Sequence, residues 1–185
     1  MINIPNIFTF YRIISVPFLI VFLYIDSSFF RSIAVLLFIL AGLTDFLDGY
    51  IARKRDIETS LGKLLDPIAD KLLIVSTLIA IVNLNEVQGI HVIACYIIIL
   101  REIFISGLRE YAMQFNLYVP VSFLAKVKTM VQMFSILFIL NGTFPSDVSF
   151  IIYEIGILLL WLATIITLIT SYSYFKYVIR NILSK

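Results

Sequence analysis

Charged residues are scarce in this sequence, at 14% of 185 residues. Soluble domains carry about 25% charged residues, so the chain has too little polar surface to stay dissolved as a globule. It has a single cysteine, Cys95, which excludes an internal disulfide and a cysteine-based zinc site. The net charge of +2 is too small to indicate nucleic-acid binding. These shortages exclude an ordinary soluble domain and indicate a membrane protein.

Hydrophobic residues are abundant instead: they make up 61% of the chain, and the mean hydropathy is +1.04. They form six apolar segments close to the roughly 20 residues that a helix needs to cross the hydrocarbon core. The segments run from Thr9 to Ile25, Ser32 to Ala52, Leu64 to Val82, Gly89 to Leu108, Phe123 to Leu140 and Ser149 to Tyr172. Because backbone groups in lipid must be satisfied within each segment, we expect an all-α, polytopic membrane protein. It would have six transmembrane helices in a single domain over residues 1–185.

Turn residues separate several of these segments. Asp26-Ser27-Ser28 follows the first segment, Asn83-Leu84-Asn85 follows the third, and Asn141-Gly142-Thr143 with Pro145 follows the fifth. Small polar residues, glycine and proline favour turns, so we expect helices to end near these positions.

Basic residues between the segments lie mainly on one side of the predicted membrane. That side holds Arg53, Lys54, Arg55 and Lys63 after the second segment, Arg109, Lys126 and Lys128 between the fourth and fifth, and Lys176, Arg180 and Lys185 in the tail. The opposite connections hold Arg31 as their one basic residue. Because cytoplasmic connections carry the excess of lysine and arginine, both termini are expected to be cytoplasmic.

Four aspartates stand close to the connection between the second and third segments. Asp45 and Asp48 are three residues apart near the end of one predicted helix, and Asp66 and Asp70 are four apart at the start of the next. Residues at these spacings share a helix face, and a short connection makes the two helices antiparallel neighbours. The four carboxylates are therefore expected to converge. Charges within membrane spans are costly and are usually functional.

Four carboxylates in one low-dielectric site cannot all stay ionised unless cations hold them together. Oxygen ligands without histidine or cysteine favour magnesium, manganese or calcium, and a pair of such ions suits phosphoryl transfer. Gly49 and Ala52 leave room for a bulky ligand beside the aspartates, and Arg53 can bind phosphate oxygens with its forked guanidinium. Capping or ion pairing is the alternative for one aspartate pair, and a cation or proton transporter is the alternative for all four.

The residues around the aspartates form a long motif with fixed spacing. Asp45, Asp48, Gly49, Ala52 and Arg53 fit D-x-x-D-G-x-x-A-R, eight residues follow, and Gly62, Asp66 and Asp70 fit G-x-x-x-D-x-x-x-D. This pattern resembles the signature of the CDP-alcohol phosphatidyltransferase family. The resemblance implies a six-helix membrane enzyme, usually a homodimer, with a polar cavity open to the cytoplasm. The similarity is to bacterial members, which implies the inner membrane.

The same resemblance implies roles for individual residues. Asp45, Asp48, Asp66 and Asp70 would bind two divalent cations, Mg²⁺ or Mn²⁺, and Asp70 would also be the general base. The CDP-lipid would contact Gly49, Arg53, Thr59 and Gly62.

Further segments resemble bacterial family members that use glycerol 3-phosphate. They are Asn3 to Thr9 with Arg12, Arg101-Glu102 followed by Leu108-Arg109-Glu110, and Lys126 to Thr129, before which Ala125 replaces an expected glycine. By this resemblance the substrates are CDP-diacylglycerol and glycerol 3-phosphate, and the products are phosphatidylglycerol phosphate and CMP. Another acceptor alcohol, as in the cardiolipin, phosphatidylserine or phosphatidylinositol enzymes, is the alternative.

An acceptor that carries a phosphate needs cationic side chains in its site. We expect some of four basic residues to bind it: Arg101, Arg109, Lys126 and Lys128. The alternative is anchoring of these side chains at the cytoplasmic interface of the membrane.

Overall fold

The computed structural model describes residues 4–55, 60–115, 117, 122–142 and 149–183, with side chains at these positions except 4–6, 45–55, 60–61, 63–64 and 182–183. Six helices form in this part of the chain: α1 Ile4–Tyr24, α2 Ser28–Arg55, α3 Ser60–Asn83, α4 His91–Gln114, α5 Phe123–Gly142 and α6 Ser149–Leu183. Each helix overlaps one of the six apolar segments, so the all-α prediction is confirmed.

Four helices contain a stretch that is long and apolar enough to cross a membrane: Ile7–Tyr24, His91–Gln114, Phe123–Gly142 and Ser149–Asn181. The apolar part of α2 within the described residues, Ser28–Thr44, is shorter, and the first turns of α3 include Asp66 and Asp70. The helices therefore indicate a multi-pass membrane protein. The number of six spans remains a prediction.

The helices extend beyond the apolar segments at their polar ends. α6 continues past Tyr172 to Leu183, and its 35 residues reach about 52 Å at 1.5 Å per residue. The hydrocarbon core is only about 30 Å thick. An apolar pattern marks the part of a helix that lies in lipid, whereas the backbone helix continues where polar side chains meet water. α6 therefore extends beyond the predicted span, and the end of that span near Tyr172 remains a prediction.

The predicted turns agree with the helix ends. α1 ends at Tyr24 and α2 begins at Ser28. After α3 the turn uses the left-handed backbone region at Asn85, with φ 57°, and at Gly89, with φ 59°, which asparagine and glycine adopt at low cost. α5 ends at Gly142, and the rest of the third predicted turn lies outside the described residues.

The helix contacts divide the chain into two compact units, Met1–Glu86 and Val87–Lys185. In the first unit, α1 packs against α2 and α3, and Leu19 of α1 is fully buried. In the second unit, α6 packs against α5 and α4, with Ile136 and Leu160 fully buried. The expected single domain remains a prediction.

One ion pair in the first unit lies on the side opposite to the predicted basic connections. Arg31 of α2 pairs with Glu86, which follows α3. Burial raises the pKa of Glu86, and the guanidinium of Arg31 acts in the opposite direction. The one basic residue in those connections therefore contacts a carboxylate.

In the second unit, α5 and α6 approach closely at Gly156. A Cβ on this glycine would lie 2.9 Å from the backbone nitrogen of Ile139. The Ser135 hydroxyl also donates a hydrogen bond to the Gly156 carbonyl oxygen at 2.9 Å. Small residues and hydroxyl groups of this kind allow close helix packing in membranes, so packing requires glycine at this position.

We expect Gly156→Ala to lower the free energy of unfolding by about 1–3 kcal/mol, because overpacking forces neighbouring atoms apart. Gly107 of α4 is the matched control, because a Cβ there would meet nothing within 4 Å and alanine is the better helix former. Thermal unfolding in detergent micelles measures both substitutions. Equal effects at the two positions would contradict the packing account.

Candidate active site

Two of the four predicted cation-binding aspartates lie on one face of α3 and contact α1. The Thr9 hydroxyl donates a hydrogen bond to Asp66 Oδ1 at 2.5 Å, and Arg12 Nη1 donates to Asp70 Oδ1 at 3.2 Å. Thr9 and Arg12 are three residues apart and the aspartates are four apart, so each pair shares a helix face. Two polar side chains of α1 therefore donate hydrogen bonds to two carboxylates of α3 along this contact.

The α1 side of this contact is removed from solvent, whereas the α3 side is accessible. Thr9 and Arg12 are fully buried, and the Asp70 side chain is 45% exposed. A buried guanidinium is tolerated when it is paired and hydrogen-bonded, and Asp70 provides that pairing. The Asp70 carboxylate thus has one oxygen held by α1 and still presents surface to a ligand.

The donor chemistry of this face fits a hard divalent cation, because Asp66 and Asp70 supply carboxylate oxygens. Asp45 and Asp48 lie in the last turns of α2, and their side chains lie outside the described residues. Among the side chains that the structure describes, no three histidine, cysteine or acidic residues are grouped as a metal site. The convergence of all four aspartates remains a prediction.

The residues predicted to contact the CDP-lipid flank the connection between α2 and α3. Gly62 is buried near the start of α3. Gly49 and Arg53 belong to the helical backbone of α2, but their surroundings, and Thr59 altogether, lie outside the described residues. Residues 56–59 alone separate the two helices, so the two halves of the motif stay close along the chain. Their binding role remains a prediction.

A second polar cluster lies in the unit of α4, α5 and α6. Glu102 Oε1 accepts a hydrogen bond from Arg101 Nη1 at 3.2 Å and another from Lys128 Nζ. The three side chains are nearly buried, with Arg101 8%, Lys128 6% and Glu102 13% exposed. One carboxylate therefore brings together two of the four residues predicted to bind the acceptor phosphate.

Hydroxyl groups of α6 hold both arginines of α4. Arg101 donates to Ser171 Oγ from Nε at 2.7 Å and to Thr170 Oγ1 from Nη2 at 3.0 Å. Arg109 Nη2 donates to the Tyr174 hydroxyl at 2.9 Å. The guanidinium carbon of Arg109 also lies 5.1 Å from the centre of that ring, within cation–π range. Both guanidinium groups are therefore fixed from successive turns of α6.

A cavity and a buried amide group lie beside this cluster. Thr170 and Tyr174 also line a cavity of about 220 Å³ between α6 and the start of α5. Gln132, one turn beyond Lys128 on α5, is buried, and its Nε2 has no hydrogen-bond partner among the described residues. Buried donors of this kind need an oxygen from a ligand or from water.

Lys126 differs from the other three predicted acceptor residues because its side chain is exposed. No contact in the described part of the chain joins it to Glu102. Its position fits the alternative of anchoring at the membrane interface.

This chain belongs to the CDP-alcohol phosphatidyltransferase family, because a model of that family matches residues 2–169. Its relatives include enzymes that carry the name CDP-diacylglycerol–glycerol-3-phosphate 3-phosphatidyltransferase. The one from Rickettsia bellii is 45% identical over 174 residues, which cover 94% of each chain. The one from Wigglesworthia glossinidia brevipalpis is 38% identical and covers 98% of this chain and 97% of its own. The one from Haemophilus influenzae is 37% identical and covers 86% of this chain and 88% of its own.

Several residues in the two clusters have no role predicted from the sequence: Thr9, Arg12, Glu102, Thr170 and Ser171. For Arg12 and Glu102 the sequence does contain a signal, because a charge within an apolar segment is normally paired. The hydroxyl residues give no such signal, because serine and threonine in helices commonly bond to the carbonyl groups of their own helix.

The hydrogen bond from Thr9 to Asp66 can be tested by two substitutions. We expect Thr9→Val to lower the free energy of unfolding by about 1.5–3 kcal/mol, because a hydrogen bond to a charged group is lost. Thr9→Ser keeps the hydroxyl and removes one buried methyl group, at about 0.8 kcal/mol. Unfolding of the purified protein in detergent measures the difference. A serine variant as unstable as the valine variant would contradict this contact.

Proposed function

We propose that this protein transfers the phosphatidyl group of CDP-diacylglycerol to a hydroxyl of glycerol 3-phosphate. The products are phosphatidylglycerol phosphate and CMP. One observation carries the proposal: relatives that bear the name of this activity are up to 45% identical over 94% of the chain. The spaced aspartate motif also lies within the residues that the family model matches. The alternative of a cation transporter has no comparable support.

In the transfer, the acceptor hydroxyl oxygen forms a bond to the phosphorus that carries diacylglycerol, and the bond from that phosphorus to CMP breaks. We assign the hydroxyl proton to the carboxylate of Asp70, as general base. Arg12 holds Asp70 Oδ1 and Thr9 holds Asp66 Oδ1, so α1 orients both carboxylates before substrate binds. Pre-organised groups of this kind lower the barrier because no reorganisation is needed during the reaction.

We assign two divalent cations, Mg²⁺ or Mn²⁺, to the aspartates of the motif, Asp45, Asp48, Asp66 and Asp70. When bound, such cations neutralise the diphosphate and stabilise the charge that develops on the leaving oxygen. The carboxylate pair on α3 supports this assignment. Gly49, Arg53, Thr59 and Gly62 are assigned to the CDP-lipid, with Arg53 as the residue that can bind phosphate oxygens.

We assign the acceptor phosphate to the second unit, at Arg101, Lys128 and Arg109. Arg101, Lys128 and Glu102 together carry a net charge of +1 in nearly buried positions, and such a site attracts an anion. The buried Nε2 of Gln132 adds a hydrogen-bond donor one turn away. Lys126 is assigned to the membrane interface or to attraction of the acceptor, since it is exposed.

For the whole chain we propose six transmembrane helices, both termini in the cytoplasm, and a polar cavity open to that side of the inner membrane. The distribution of lysine and arginine supports this orientation. The pairing of Arg31 with Glu86 also supports it, because it offsets the one basic residue of the outer connections. A homodimer is proposed from the family resemblance.

The acceptor is identified by the release of CMP from CDP-diacylglycerol by purified protein with a panel of alcohols. We expect release with glycerol 3-phosphate and not with serine, inositol or phosphatidylglycerol, because the cationic cluster selects a phosphate monoester. Release with another alcohol alone would move the protein to a different activity of the family. No release with any alcohol would contradict the proposed function.

The role of Asp70 is tested by Asp70→Asn, which keeps the shape of the side chain and removes the proton acceptor. We expect the rate of CMP release to fall by about 10²–10⁴-fold, with no recovery at saturating Mg²⁺. Asp26→Asn is the control, because Asp26 is exposed in the turn between α1 and α2 and should leave the rate unchanged. Near-normal turnover by Asp70→Asn would rule out Asp70 as the base.

A further inference from the structure

Glu102 is the one acidic residue in the buried cluster of the second unit, within the described residues. Its Oε1 atom accepts hydrogen bonds from cations on two different helices, Arg101 of α4 and Lys128 of α5. The same carboxylate oxygen thus fixes the distance between the guanidinium and ammonium groups. Neither the proton transfer nor the binding of CDP-lipid uses this residue.

The two cations do not need the carboxylate to the same extent. Arg101 is already held by two hydroxyl groups of α6, and its planar guanidinium is stiff. Lys128 carries its ammonium group on a flexible four-carbon chain, so its position depends more on the groups that it contacts. The positive charges of Arg101 and Lys128, which contact the same carboxylate oxygen in a nearly buried site, also repel each other. A carboxylate between them offsets that repulsion and keeps both side chains in place.

We propose that Glu102 is a positioning residue that holds Arg101 and Lys128 side by side as one phosphate-binding site for the acceptor. The inference rests on the proposed function, which supplies the phosphate-bearing acceptor. Glu102 itself does not contact the phosphate, since both are anions. It acts through Lys128 and Arg101, and its loss should therefore weaken binding of the acceptor without slowing the chemical step.

The primary experiment is Glu102→Gln, which keeps the size of the side chain and removes its charge. We expect KM for glycerol 3-phosphate to rise about tenfold, an effect typical of coupled neighbours, while kcat and KM for CDP-diacylglycerol stay within about twofold. Lys128→Ala and Arg101→Ala should raise the same KM at least as much. Glu154→Gln, at an exposed acidic residue of α6, is the matched control and should change nothing.

A double variant separates positioning from a general structural role. Because Glu102 acts through Lys128, Glu102→Gln should add little to the rise in KM when Lys128 is already alanine. If Glu102→Gln does not fold, Glu102→Asp takes its place, with a smaller rise in the same KM expected.

The outcomes distinguish this inference from the proposed function. If Lys128→Ala and Arg101→Ala raise KM for glycerol 3-phosphate but Glu102→Gln leaves it unchanged or lowers it, the positioning role is overturned and the acceptor site stands. An additive effect in the double variant also overturns it. If neither cation matters for this KM, the assigned acceptor site fails and the role of Glu102 fails with it. Absence of CMP release in the unmodified protein contradicts the proposed function itself.

Discussion

A charged side chain can be buried among apolar helices only when polar partners meet it, because removal of a charge from water is expensive. This constraint determines both polar clusters of the protein. In the first unit, Arg12 is fully buried and pairs with Asp70 of α3. In the second unit, Arg101 and Lys128 are nearly buried and share Glu102. The partners that make burial possible are also the groups that orient the proposed functional side chains.

In both clusters a buried charge is paired with a polar partner, but the two clusters suit different chemistry. In the α1–α3 contact the buried partner is a cation and the accessible group is a carboxylate, which suits binding of divalent cations and acceptance of a proton. In the α4–α5–α6 cluster two cations share one carboxylate, which suits binding of an anion. The residues assigned to the nucleotide-lipid and those assigned to the acceptor phosphate therefore belong to different units of the chain.

The fold could be predicted in large part because helix formation in lipid depends on local properties. Apolar segments of sufficient length gave the six helices, and small polar residues gave the turns at residues 25–27 and after Asn83. The end of α6 was not predictable in this way, since a helix that leaves the lipid loses its apolar pattern but keeps its backbone hydrogen bonds. The close contact at Gly156 depends on Ile139 of another helix, and a local pattern does not contain it.

The candidate site was predictable to a similar extent. The spacing of Asp66 and Asp70 indicated a shared face on α3, and the contacts with α1 confirm it. The partners Thr9 and Arg12 could not be assigned, because they are more than fifty residues away in sequence. The resemblance pointed to Arg101 and Lys128, but the carboxylate that joins them is apparent only when side chains of α4 and α5 meet in the folded unit.

We propose that the carboxylates of α3 belong to a divalent-cation site that is needed for phosphatidyl transfer. Titration of the purified protein with Mn²⁺, followed by electron paramagnetic resonance, tests it most directly. We expect bound Mn²⁺ in the unmodified protein, with binding strongly weakened by Asp66→Asn and unaffected by Asp26→Asn. Unchanged Mn²⁺ binding in Asp66→Asn, or a protein that still releases CMP after complete removal of divalent cations, would contradict it.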